Sequence, residues 1–159
     1  MVDSMAHSSE KCSKVFAGLS LISCLSGIAA FVYFLFFASN INASVWGLLF
    51  AMLSACSFHL IVLFLRRAIN DWYTADHLES IASFGLVVFL LSNVVLGVYL
   101  SLAITRHQKY TLKNFSYYSA ATCTALTSFW SLTLFVSALL YRRYLIHNPP
   151  LLRRYRSYS

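Results

Sequence analysis

The sequence predicts an all-α membrane protein, a four-transmembrane-helix bundle with N- and C-termini cytoplasmic, and three observations carry that prediction. Of 159 residues, 59% are hydrophobic and only 11% charged, whereas an ordinary soluble domain carries about 25% charged residues. Residues 15–65, 80–105 and 114–141 contain no Asp, Glu, Lys or Arg, and a helix needs only about 20 apolar residues to cross a hydrocarbon core of roughly 30 Å. The basic residues lie beside these runs and are shared unequally between the two sides.

The N-terminal segment, 1–14, mixes Asp3 and Glu10 with Lys11 and Lys14 and leads to no short apolar region with a cleavage site. It is therefore read as a cytoplasmic segment and not as a signal peptide, so helix one is expected to persist in the mature protein. The first uncharged run is too long for one span. Its polar break at Ser39-Asn40-Ile41-Asn42 divides it into helices at about 15–37 and 44–65. The second and third runs supply helices at about 81–104 and 117–140. The short connections leave no room for a folded loop domain, so 15–140 forms one bundle. Small residues at Ser23, Gly27 and Ala30, and at Gly97 and Ser101, permit close backbone approach. Packing inside the bundle is the expectation, ahead of a homo-oligomer interface.

Orientation follows from the basic residues. Lys11, Lys14, Arg66, Arg67, Arg142, Arg143, Arg153, Arg154 and Arg156 fall on one side, and only Arg106, Lys109 and Lys113 on the other. The richer side is assigned to the cytoplasm. Both opposite loops hold an N-x-S sequon, Asn42-Ala43-Ser44 and Asn114-Phe115-Ser116, too close to the membrane for much glycosylation. Cys24, Cys56 and Cys123 lie inside expected spans and Cys12 on the reducing side, so no exoplasmic disulfide is expected.

The formal charge of +7 does not point to nucleic acid, because the cations are scattered beside spans and do not line one soluble face. The tail, 141–159, alternates arginine with tyrosine: Tyr141-Arg142-Arg143-Tyr144, then Arg153-Arg154-Tyr155-Arg156 beyond Pro149 and Pro150. Attraction to anionic lipid headgroups, at about 1 kcal/mol per basic residue, accounts for such a tail without further function.

Two histidines carry the chemical interest. His59 lies within the second expected span. An ionisable group there marks a functional site by default, although a neutral imidazole bonded to the Ser54 or Ser57 hydroxyl serves equally as a structural explanation. Tyr99, Asn93, Tyr117 and Tyr118 are further polar groups near the spans. His107 stands between Arg106 and Lys109 at the other membrane surface, a cluster suited to an anion. Haem uses both properties, since its propionates pair with cations and its iron takes an imidazole. A solvated positive loop is the plainer reading of the same cluster.

The segments Leu102-Ala103-Ile104-Thr105-Arg106-His107-Gln108, Ser116-Tyr117-Tyr118, Ser128-Phe129-Trp130 and Tyr141-Arg142-Arg143-Tyr144 resemble the HRG (haem-responsive gene) family of haem transporters, from helix three to the tail. The resemblance implies a four-span haem permease with both termini cytoplasmic. It implies further that His107 is the exoplasmic histidine used in haem handling and that Tyr141, Arg142, Arg143 and Tyr144 form the family's aromatic and basic tail motif. His59 corresponds to the family's helix-two histidine only if a gap separates it from Asn70-Asp71-Trp72-Tyr73. Haem iron is then expected at His59 and His107, with Arg106 and Lys109 pairing with the propionates. Either the plasma membrane or an endosomal or lysosomal membrane suits the chain, since Leu151-Leu152 lacks an upstream acid. The competing reading is a four-span adaptor with a lipid-binding basic tail and no transport. No enzyme is expected: HExxH, GxSxG and paired intramembrane carboxylates do not occur.

Overall fold

The computed structural model describes residues 2–66, 68–108 and 116–147, with side chains from Ser13 onward except at Asn70. Arg67, Lys109, Lys113, Asn114 and the tail beyond His147 lie outside the described residues. Among those described, every regular element is a helix: α1 (Val2–Val32), a π-helical turn (Tyr33–Phe37), α2 (Ile41–Leu65), α3 (Ile69–Trp72), α4 (Ala75–Thr105) and α5 (Tyr117–His147). Four stretches are long and apolar enough to cross a membrane: Ser13–Phe37, Ile41–Leu65, Ala75–Thr105 and Tyr117–His147.

The polar break does what its composition requires. The helix widens to a π turn, with the Ala38 N–H donating to Tyr33 O at 3.1 Å, and Ser39 then turns the chain at φ 49°. Asn40 caps α2 by accepting from the Ala43 N–H at 3.1 Å. Its amide also donates to Ser116 O at 3.0 Å, fastening the start of α5 to the start of α2. Because Asn40 is fully buried, both bonds are made away from solvent, where an unpaired amide is costly.

Four features differ from the sequence expectation, the first being that α1 begins at Val2 and not at about residue 15. α4 begins at Ala75, where the Thr74 hydroxyl caps it by accepting from the His77 N–H at 3.3 Å; a polar, charged first turn is compatible with a helix that starts before its apolar run. α5 continues to His147, so Tyr141 to Tyr144 are helical and not a detached tail. Between α2 and α4 the single turn of α3 folds back on α2, anchored by Ile69, which is 1% exposed, and by the Ala68 N–H donating to Leu63 O.

The helices pack in the order α1–α2–α5–α4, a row and not a ring. The middle members are the buried ones: 44% of the most apolar window of α2 and of α5 is buried, against 17% for α1 and 11% for α4. Two glycines explain how closely the row packs. A Cβ on Gly27 would stand 2.8 Å from the backbone nitrogen of Ala51 on α2, and one on Gly85 would stand 3.0 Å from the carbonyl oxygen of Ser131 on α5. The expectation that Gly97 and Ser101 pack internally is not met: both are exposed, and a Cβ on Gly97 would meet nothing within 4 Å.

One cluster of the core, with Leu60, Leu63, Ile69, Leu78, Trp130 and Leu134, lies toward the end carrying both chain termini. The other, with Phe34, Ala43, Trp46, Ala120 and Cys123, lies toward the opposite end. The outer surface is strongly apolar, with Phe36 71% and Phe37 75% exposed and Ile22, Val87 and Val94 also open. A hydrocarbon surrounding suits that surface and water does not.

Candidate functional site

At the end opposite the termini, α4 stops in a turn built around the sequence-predicted residues. The Gln108 N–H donates to Ala103 O at 3.1 Å and the His107 N–H to Ile104 O at 3.0 Å, the two bonds of a Schellman motif. His107 occupies its left-handed position, with φ 47°, where glycine is usual. Its imidazole is exposed. The histidine therefore ends the helix as well as presenting a ring.

Arg106 is drawn into an aromatic series. Its guanidinium carbon lies 5.3 Å from the centroid of the Tyr117 ring, within cation–π range. Tyr117 stacks on Tyr99 with centroids 6.2 Å apart and planes at 25°. The Tyr99 hydroxyl accepts from Trp46 Nε1 at 3.2 Å, and the carbonyl of Trp46 accepts from the Thr127 hydroxyl at 3.0 Å. The Gln108 side chain accepts from the Tyr117 N–H at 3.0 Å. Arg106 and His107 are thus mounted on an assembly reaching α2, α4 and α5. Lys109 lies outside the described residues. Trp46 did not stand out in the sequence, because nothing in the spacing of α2 shows that its first turns meet Tyr99, 53 residues later.

The second histidine does not make the serine bond offered as its structural explanation. His59 bonds to neither serine: the Ser54 hydroxyl donates to Phe50 O and Ala51 O, and the Ser57 hydroxyl is buried with no partner. Instead His59 is exposed and meets the aromatics of the α3 connection edge-on, Trp72 at 5.8 Å and Tyr73 at 6.1 Å between ring centroids. The fold-back of α3 creates this cluster. Asn93 is likewise structural, donating to Phe89 O at 2.7 Å and to the Ser128 hydroxyl on α5 at 2.8 Å.

At the same end the tail motif is partly engaged within the protein. Tyr141 stacks on Phe64 of α2 with centroids 4.7 Å apart, and Tyr144 meets the same ring edge-on at 5.6 Å. Arg142 pairs with Glu79 of α4 at 2.7 Å. Arg143 is exposed and makes no ion pair among the described residues, while its carbonyl lies 2.9 Å from Nδ1 of His147. Among the described residues no three His, Cys, Asp or Glu side chains converge to hold a metal ion.

These features define an all-helical protein with four helices apolar enough to span a membrane, an arginine–aromatic series beside an exposed histidine at one end and a histidine–aromatic cluster toward the other. No protein family, curated protein or solved structure matches the chain.

Proposed function

We propose that the chain is a multi-pass membrane permease for haem, moving it from the exoplasm or a vesicle lumen to the cytosol across the plasma membrane or an endosomal or lysosomal membrane. The observation that carries this reading is the turn ending α4. A guanidinium held over Tyr117 and an exposed imidazole stand on consecutive residues, matching the anionic propionates and the iron of one ligand. The basic bias assigns that turn to the exoplasmic side, and the resemblance from Leu102 to Gln108 and at Tyr141 to Tyr144 supports the same cargo.

On this reading His107 and Arg106 capture haem. Of the two arginines of the tail motif, Arg143 is the one exposed without an ion pair among the described residues, Arg142 being paired with Glu79. His59, beside Trp72 and Tyr73, is a separate station near that side. Counted from the Trp46–Tyr99 bond that sets α2 beside α4, a rise of about 1.5 Å per residue separates the histidines by roughly 30 Å along the membrane normal, too far for direct handover, so cargo or helices must move between them.

The test is haem-dependent growth of a haem-auxotrophic cell expressing the chain, at matched surface expression. Rescue at limiting haem that is lost on replacing Arg106 and His107 together supports the permease. Absence of rescue, joined with no Soret shift when haemin is added to purified protein, favours the four-span adaptor. The engagement of Arg142 and Tyr141 inside the bundle gives that second reading its footing.

A further inference from the structure

We infer that the outer face of α2 is the track along which haem passes between the two histidines, with Met52 and Cys56 as successive sulfur ligands for its iron ahead of His59. This track presupposes the permease proposed above and supplies the ligands missing between its two stations. At 3.6 residues per turn, Met52, Cys56 and His59 fall within about 60° of arc on one stripe of the helix. All three are open: Met52 is 57% exposed, and Cys56 and His59 are exposed as well. The stripe ends at Leu63, which is buried in one cluster with Ile69 of the α3 fold-back. Trp72 and Tyr73 stand beside His59 at that end.

The chemistry of the stripe chooses the occupant. Thioether, thiolate and imidazole are axial ligands that haem iron accepts from Met, Cys and His. The large side chains exposed elsewhere on the spans are mostly Leu, Ile, Val and Phe, so three ligand types in succession set this face apart. Spacing then decides between haem and a bare ion. Neighbours three and four residues apart hold their Cβ atoms about 5–6 Å from one another, and three side chains in a column on one helix do not close round an ion as a tetrahedral site does. Haem brings its own ring nitrogens and takes one axial ligand at a time, which a column can supply. The Cys56 thiol is in no disulfide. The edge-on contacts of His59 with Trp72 and Tyr73 leave its ring nitrogens without a hydrogen bond among the described residues.

Met52 lies about 10 Å from His59 toward the end that carries His107, which shortens the longest step from roughly 30 Å to roughly 20 Å. Cys56 binds iron as the thiolate. The proton it releases goes to the imidazole of His59, one turn away, and returns to the sulfur as the iron passes to that imidazole, so the exchange leaves the thiol and the imidazole uncharged. Met52 exchanges no proton. A carboxylate taken into hydrocarbon protonates, so the propionates cross as neutral acids.

The experiment uses the full chain. Met52→Leu and Cys56→Ser should each lower maximal haem uptake by about tenfold, equivalent to about 1.4 kcal/mol on the barrier, without changing the haem concentration for half-maximal uptake, since capture at His107 is untouched. In purified chain carrying His107→Ala and His59→Ala, added haemin should pass to Cys56, and its reduced carbonyl complex should show the red-shifted Soret band of a thiolate-ligated haem; adding Cys56→Ser should abolish that shift. Uptake by both sulfur variants at the wild-type maximal rate overturns the track and leaves the permease standing, whereas a wild-type chain that binds no haemin and rescues no auxotroph removes both. If a variant does not fold, the wild-type chain decides. Haemin should protect Cys56, and not Cys24 of α1, from a membrane-permeant alkylating reagent, and alkylation of Cys56 unchanged by haemin overturns the track. Protection by copper(I) and not by haemin would reassign the stripe to a soft metal ion.

Discussion

His107 shows how one side chain can hold a structural and a chemical role that an ordinary alanine substitution confuses. Its φ of 47° places it where an L-residue costs about 1 kcal/mol more than glycine. His107→Gly should therefore raise the stability of the purified protein by about that amount while deleting the imidazole, and His107→Ala should leave the strain in place. If the ring captures haem, both variants lose uptake at limiting haem and partly recover at high haem, because Arg106 still attracts propionates. Uptake by the glycine variant equal to wild type at every haem concentration would remove the imidazole from the mechanism. His59 teaches a complementary lesson. Its place within the second apolar helix was legible, but its partners were not, because Trp72 and Tyr73 reach it only through the fold-back of α3.

At the scale of elements, the spacing of small residues identified the α1 contact and misjudged the α4 one. Gly27 has no room for a methyl group beside Ala51, whereas Gly97 has open space. Gly27→Ala should thus force α1 away from α2 and destabilise by about 1–3 kcal/mol. Gly97→Ala should be neutral or mildly stabilising, since alanine is the better helix former by up to about 1 kcal/mol. Thermal unfolding in one detergent reads both, and equal losses would show that the α1–α2 contact adjusts freely. The physical reason is that a GxxxG-like stripe reports what a helix can tolerate, while the neighbour it meets is set by the packing order. Gly85 fills the corresponding role on α4 without any small partner four residues away, since Ile81 and Phe89 flank it.

For the whole molecule, the unequal sharing of basic residues predicts that epitope tags at both termini react only after the plasma membrane is permeabilised. A tag on the C-terminus that labels on intact cells would reverse the orientation and, with it, the direction assigned to Arg106 and His107. The row α1–α2–α5–α4 bears on how cargo could cross. Its central helices bury serine and threonine hydroxyls, several of which bond to their own helix, as Thr124 does to Ala120 O and Ser131 to Ser128 O, while the Ser57 hydroxyl of α2 is buried with no partner. Its end helices keep one face open to whatever surrounds the protein.

The sequence by itself determined the helical class, the four spans and the polar break between the first two, because a bilayer demands about 20 apolar residues per crossing and permits few charges within them. It also marked Arg106 and His107, which are neighbours along the chain and remain so in the fold. Tertiary structure alone decided the packing order, the pairing of Arg142 with Glu79, the stacking of Tyr141 on Phe64 and the series from Arg106 through Tyr117 and Tyr99 to Trp46. Each joins residues on different helices, and apolar faces that look alike along the sequence are told apart only by the side chains they come to rest against.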